Sequence, residues 1–210
     1  MLHYDILDPE RKAILPKLAT FKGEFYLAGG TALALQIGHR DSLDFDFFSK
    51  ENIDTLKLFD QINEIFSSLE IIKTQEEKNT LSVNVNQVKF SFLTYPYILV
   101  DKLVEAEFIN LASIKDIACM KLSAITSRSA LKDYVDLYFI LKQYNLEDLL
   151  NSCKDKFPKL DIGLVLKSLV YFDDLVEEPI IFKEGNTASL EEIQQALKNE
   201  VREYLEKKIS

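Results

Sequence analysis

The chain has 210 residues, 47% apolar and 28% charged, with a formal net charge of −9. That size suits one core domain with a helical appendage; the sequence holds no run of about 20 apolar residues to span a membrane and no basic segment leading into an apolar export signal, so a cytoplasmic location is expected. The acidic balance excludes a protein that coats nucleic acid through long-range attraction, while a specific nucleic-acid substrate stays open wherever basic residues cluster.

In chain order, Asp8 before Pro9 is a helix-start signature, and Ile14, Leu15, Leu18 and Ala19 predict an amphipathic helix over 9–21. The apolar run 25–28 reads as a strand that stops at a Gly29-Gly30 turn, and 31–37 reads as a helix closed by Gly38. In 43–48, Leu43, Phe45 and Phe47 alternate with Asp44, Asp46 and Phe48, the period of a strand carrying two carboxylates on one face. A helix over 54–68 follows, then strands at 71–74, 81–85 and 88–93, with Asn86-Gln87 as a tight turn and Pro96 as a breaker.

The apolar segment 108–111 leads into Ser113, a predicted N-cap, with Asp116 three residues on in a weak capping box for a helix to about 126. The next helix, 131–144, places Leu131, Val135, Tyr138 and Leu141 near one face, and further helices are predicted at 146–157, 162–171 and 189–209. Ser189 with Glu192 is the clearest capping box in the chain. Cys119 and Cys153 read as buried or incidental thiols rather than as a zinc site or a disulfide. The pattern is an α+β fold: a mixed β-sheet with flanking helices over 1–112, followed by a helical C-terminal region over 113–210.

Two features carry chemistry. Asp44 and Asp46, two apart on one strand face, repel each other and invite a shared cation, and carboxylate-held Mg²⁺ is what phosphoryl and nucleotidyl transfer use to neutralise developing charge. Gly29 and Gly30 let backbone approach a phosphate closely, and the helix that follows offers N–H groups, a positive dipole end and the Thr31 hydroxyl. Taken singly, a Gly-Gly pair is also an ordinary turn and an Asp-x-Asp pair also a solvated edge strand; their combination within twenty residues describes a pocket for a metal-bound nucleotide. Further on, a continuous helix would put Lys121 and Arg128 on one face, with Asp133 and Asp136 sharing another, and these charges equally suit an ion-pair seam between two helices.

The text GGTALALQIGHRDSLDFDFF, 29–48, resembles the first motif of the AbiEii/AbiGii toxin group of nucleotidyltransferases, within the DNA polymerase β-like superfamily. DIACMKLSAITSRSALKDYVDL, 116–137, resembles the group's second conserved stretch. The resemblance implies a nucleotidyltransferase-type sheet with the helical region packed over the active site. It also implies Gly29, Gly30 and Thr31 on the triphosphate, Asp44 and Asp46 on Mg²⁺ or Mn²⁺, and Arg40 and Ser42 in the bordering loop. Lys121 and Arg128 would lie toward the nucleotide, with Asp136, and Asp133 nearby, completing the far wall; Asp116 is a candidate to orient Lys121.

The implied activity is Mg-dependent transfer of a nucleoside monophosphate from an NTP to a hydroxyl acceptor such as RNA or tRNA, by the toxin of a toxin–antitoxin or abortive-infection phage-defence system with a cognate antitoxin. One departure stands out. Many superfamily members carry a third acidic residue on a later central strand, whereas strand 88–93 offers Lys89 and Ser91 on the corresponding face. The alternative reading is therefore a catalytically degenerate nucleotide-binding or partner-binding protein of the same fold. His39 in the motif loop is expected to be exposed to solvent, and His3 has no context.

Overall fold

The period-two runs of the first half build one five-stranded sheet in the computed structural model, which describes residues 2–176, 178–183 and 185–209. The strands are β1 (Tyr26–Ala28), β2 (Phe45–Ser49), β3 (Ile71–Glu77), β4 (Thr80–Val85) and β5 (Val88–Thr94), ordered β1-β2-β5-β4-β3. Neighbours are antiparallel except β2 and β5, which run parallel with Asp46 beside Ser91. Parallel strands cannot be joined by a tight turn. Here the connection is made by helix α3 (Thr55–Ile65) and the β3–β4 hairpin. Asn79 and Asn86, both at positive φ, turn the chain into β4 and β5, and β5 stops at Thr94, two residues before Pro96.

Alternation puts Phe45 and Phe47 of β2 and Phe90 and Phe92 of β5 on one buried face. The Phe47 and Phe92 rings stack at 4.6 Å, and Phe21 meets Phe92 edge-on at 5.2 Å. Aromatic pairs of this kind contribute about 0.5–1.5 kcal/mol each beyond the area they bury. The opposite face of the same strands carries Asp46, Lys89 and Ser91 together with Phe48 and Leu93.

Helix α1 (Pro9–Ile14) is capped by Asp8, whose carboxylate accepts from the Arg11 backbone N–H at 2.8 Å. The single helix expected over 9–21 is instead α1 followed by a 3₁₀ segment, Leu15–Phe21. Pro16 is the reason, because it has no N–H to return to the preceding turn. Helix α2 (Gly29–Ile37) begins two residues earlier than expected and ends at Gly38, left-handed at φ 65°. His3 acquires a context here, its backbone N–H donating to the Leu35 carbonyl at 2.7 Å.

These elements belong to a sheet unit made of the chain up to Ile98 together with Lys102–Ser113. A helical unit comprises Leu99–Asp101 and the chain from Ile114 onward. It holds α4 (Ile114–Ala124), α5 (Leu131–Leu141), α6 (Leu146–Lys156), α7 (Ile162–Leu169) and α8 (Leu190–Ile209). The Ser189–Glu192 capping box forms as expected: the Ser189 N–H donates to Glu192 Oε2 at 2.7 Å and the Glu192 N–H to Ser189 Oγ at 3.2 Å.

Helix α5 departs from its expected face. Leu131, Tyr138 and Leu141 are only half-buried, while Asp133, Tyr134, Val135, Asp136, Leu137, Phe139 and Ile140 are all buried, so two carboxylates sit inside. The thiols of Cys119 on α4 and Cys153 on α6 are both buried, and the Cys119 thiol together with burial pushes the Cys153 thiol above the usual thiol range. Among the described residues no helix is long and apolar enough to cross a membrane.

Candidate active site

Strand β1 ends at Ala28 and α2 starts at the next residue, so the N-terminus of α2 lies beside the start of β2, where Ala28 pairs with Asp46. The two glycines are there because of close approach. Gly29 has φ 70°, and a Cβ on it would lie 2.8 Å from Asp46 Oδ2; a Cβ on Gly30 would lie 2.7 Å from Arg40 Nη2 and 3.1 Å from Ser42 Oγ. The space a side chain would take is thus filled by the chain's own Asp46, Arg40 and Ser42. Ala28, the residue before the first turn of α2, has no polar side chain with which to cap the helix. The positive dipole end of α2 lies in the region that holds Asp46 and Arg40, and it favours negative charge there.

Asp44 differs from expectation in one respect: β2 starts at Phe45, so Asp44 stands just ahead of the strand, exposed, whereas Asp46 lies within it, half-buried. Among the described residues no cation pairs with the Asp44 carboxylate. Thr31 reaches this segment from α2, its hydroxyl donating to the Asp44 carbonyl and lying 2.8 Å from Ser42 Oγ. Arg40 is buried and donates through Nη1 to the Asp41 carbonyl at 2.9 Å.

His39, expected in solvent, is 1% exposed. The loop after Gly38 turns inward, bringing the Arg40 guanidinium against Gly30 and His39 with it. On the neighbouring strand Ser91 is the partner of Asp46, and two residues earlier on the same face Lys89 is exposed.

Among the described residues no group of three or more His, Cys, Asp or Glu side chains is placed to hold a metal ion. Two hard oxygen donors, Asp44 and Asp46, are nevertheless a sufficient protein contribution for Mg²⁺, which keeps several waters and takes its remaining ligands from substrate phosphates. A cleft of about 380 Å³, lined by Phe25, Ser49, Ile53 and Leu58, lies at the other end of β1 and β2, away from these carboxylates.

In the helical unit the second set of predicted residues forms an ion cluster. Lys121 Nζ lies 2.6 Å from Asp133 Oδ1 and 2.7 Å from Asp136 Oδ2, and Arg128 Nε donates to Asp133 Oδ2 at 2.7 Å. Both carboxylates are fully buried and Lys121 nearly so, while Arg128 is half exposed. Burial alone would depress the Lys121 ammonium, but Asp136 and Asp133 outweigh it and hold the group above the usual lysine range. Burial likewise opposes ionisation of Asp133, yet Lys121 and Arg128 keep its carboxyl below the usual range.

Two of the three Lys121 N–H donors are thus taken by carboxylates inside the helical unit. Lys121 and Arg128 do not share one continuous helix, since α4 ends at Ala124; they meet at Asp133 instead. Nor does Asp116 orient Lys121. It pairs with the buried Lys156 at 2.8 Å and accepts from the Val100 and Asp101 N–H groups at 3.0 and 3.3 Å.

Lys156 is a residue that sequence reasoning missed, as is Arg11, whose buried guanidinium donates from Nε to the Leu43 carbonyl at 2.7 Å. The Asp8-Arg11 spacing is a local signal for a capping pair, but nothing local announces contacts 32 or 40 residues away.

A parallel β2–β5 pair in a mixed sheet, with a helix N-terminus and an Asp-x-Asp at one end, is the arrangement expected of a nucleotidyltransferase. The profile described as "Nucleotidyl transferase AbiEii toxin, Type IV TA system" matches residues 14–207, and the chain belongs to that family. An uncharacterized protein of Aquifex aeolicus is 36% identical over 208 residues, 95% of this chain and 98% of that one. Among solved structures, JHP933 from Helicobacter pylori is similar with a TM-score of 0.58 at 22% identity, covering 99% of this chain and 96% of its own. MenT4, the nucleotidyltransferase toxin Rv2826c from Mycobacterium tuberculosis, is similar with a TM-score of 0.61 at 13% identity, covering 91% of this chain and 80% of its own. At these identities the structural likenesses establish the fold.

Proposed function

We propose that this protein transfers a nucleoside monophosphate from an NTP to a hydroxyl of an RNA acceptor, breaking the α–β phosphate bond and releasing pyrophosphate, with Mg²⁺ or Mn²⁺ at Asp44 and Asp46, as a toxin restrained by a cognate antitoxin. The observation that carries this reading is the exposed Asp44, without a cation of the chain's own, beside the half-buried Asp46 at the N-terminus of α2. A divalent ion held there would neutralise triphosphate charge and make the acceptor hydroxyl easier to deprotonate.

The chain's own part is binding and orientation. The first N–H groups of α2, at Gly29, Gly30 and Thr31, receive phosphate oxygens, and Arg40 and Ser42 hold the bordering loop against Gly30. Lys89 puts an exposed cation on the sheet face of Asp46, which favours an acceptor that carries phosphates. With Ser91 beside Asp46, β5 supplies no third carboxylate, so the acceptor proton passes to water. In this reading Lys121, Asp133, Asp136 and Arg128 act through their ion cluster, which ties α4 to α5.

The test is incubation with each α-labelled NTP, Mg²⁺ and total RNA. Label is expected in RNA, lost in Asp46→Asn, and transfer should fall with added salt, less steeply in Lys89→Gln. Mg²⁺-dependent nucleotide binding without labelling would instead assign a nucleotide-sensing role, the reading that Ser91 in place of a carboxylate favours.

A further inference from the structure

Asp44 is not held by the sheet, because β2 begins one residue later and Asp44 itself is exposed. Both peptide groups that flank its Cα are nevertheless bonded to other elements. The carbonyl of Leu43, in the peptide plane before the Asp44 Cα, accepts from Arg11 Nε at 2.7 Å. The carbonyl of Asp44, in the plane after it, accepts from the Thr31 hydroxyl, which is also 2.8 Å from Ser42 Oγ. Peptide groups are planar, so fixing the two planes fixes φ and ψ between them, and with those the direction of the Cα–Cβ bond.

Arg11 is suited to its half of this arrangement. It is 7% exposed although it is an arginine, and its guanidinium is oriented from behind by Asp8, the N-cap of α1, which bonds both its backbone N–H and its Nη1. The planar fork lets one side chain face Asp8 with one nitrogen and the Leu43 carbonyl with another, an arrangement a lysine cannot reproduce. Thr31 is equally buried, at the first turn of α2.

We infer that Arg11 and Thr31 form a two-sided clamp on the peptide groups flanking Asp44, and that Arg11 is a positioning residue that aims the Asp44 carboxylate at the metal-bound nucleotide. The inference rests on the proposed role of Asp44 and Asp46 as metal ligands. Residues that orient ligands in this way typically change metal affinity by about 10–100-fold when removed.

The experiment compares wild type with Arg11→Met, Arg11→Lys, Thr31→Val and Thr31→Ser. Two readouts are taken: the Mg²⁺ concentration for half-maximal binding of a fluorescent NTP, with binding in EDTA alongside, and backbone hydrogen exchange over residues 42–46 without nucleotide. Arg11→Met, Arg11→Lys and Thr31→Val are expected to raise the Mg²⁺ requirement by about tenfold or more. Exchange over 42–46 should accelerate in the same variants, with binding in EDTA unchanged in the Arg11 variants and Thr31→Ser, which keeps the hydroxyl, slower to exchange than Thr31→Val.

Folded variants with an unchanged Mg²⁺ requirement and unchanged exchange would overturn the clamp. If the Arg11 variants do not fold, Thr31→Val against Thr31→Ser decides it by the same two readouts. Should wild type itself show no Mg²⁺-dependent NTP binding, the metal-nucleotide reading fails and the aiming role with it. The exchange data would then still separate a real clamp, with faster exchange in Arg11→Met, from none.

Discussion

Two pairs of closely spaced aspartates, one in each unit, have opposite fates. In the helical unit Asp133 and Asp136 are fully buried, and the chain supplies their cations itself, Lys121 to both and Arg128 to Asp133. In the sheet unit Asp44 is exposed with no cation of the chain's own among the described residues, and Asp46 is half-buried against a glycine. Buried charges must be paired within the protein because water cannot solvate them. An exposed carboxylate such as Asp44 is solvated by water without an internal partner and gains when a mobile cation arrives. The first arrangement ties two helices together; the second is the one we propose as a cation site, on the exposed carboxylate of Asp44.

This contrast can be broken first at the buried cluster, where the effect should be largest. Lys121→Met leaves two carboxylates inside without their shared cation, and chemical denaturation is expected to show a loss of about 3–5 kcal/mol. The pH dependence should change with it. Asp133 has a lowered carboxyl in the folded state, so its contribution is complete above the unfolded value of about 3.9 and disappears as pH falls through the lower folded value. Lys121 is raised, so its share is complete below the unfolded value of about 10.4 and disappears as pH rises through the folded one. Unfolding free energy measured against pH should therefore fall at both extremes in wild type and be flatter in Lys121→Met; a variant as stable as wild type, with the same profile, would contradict the structural role.

A smaller effect is expected at the glycine corner. Gly29→Ala must adopt a left-handed φ, which costs roughly 1–2 kcal/mol, and its Cβ would collide with Asp46 Oδ2. Nucleotide affinity should fall along with stability, because the displaced group is a proposed metal ligand. Gly23→Ala is the control and should change neither, since a Cβ at Gly23 meets nothing within 4 Å. Equal effects at the two glycines would mean that the close approach at Gly29 has no functional weight.

Much of this architecture is legible in the sequence because it is encoded locally. The alternation of VKFSFL predicts β5, Asn86-Gln87 predicts the β4–β5 turn, which forms with Asn86 at positive φ, and Ser189 with Glu192 predicts the start of α8. The Gly-Gly and Asp-x-Asp text locates the corner itself.

What the text does not reveal is long-range. Whether Asp44 lies in the strand or ahead of it depends on where pairing with β5 begins, at Phe45 and Phe90. The burial of His39 depends on a loop folding inward, and the face of α5 on a lysine twelve residues away that draws its aspartates inside. Arg11 reads as a solvated helix residue until Leu43 is brought beside it. Helical and strand periodicity report which face is apolar, and they carry no information about which distant carbonyl or carboxylate a buried cation will meet.

The claim on which the functional account depends is that Asp44 and Asp46 are ligands of a divalent cation rather than a solvated surface pair. Isothermal titration of an NTP into the protein, with and without Mg²⁺, tests this most directly in wild type and in Asp44→Asn. Binding that requires Mg²⁺ in wild type and is weakened by at least about tenfold in Asp44→Asn is the expected result. Binding that is equal in the two proteins, or indifferent to Mg²⁺, would contradict it.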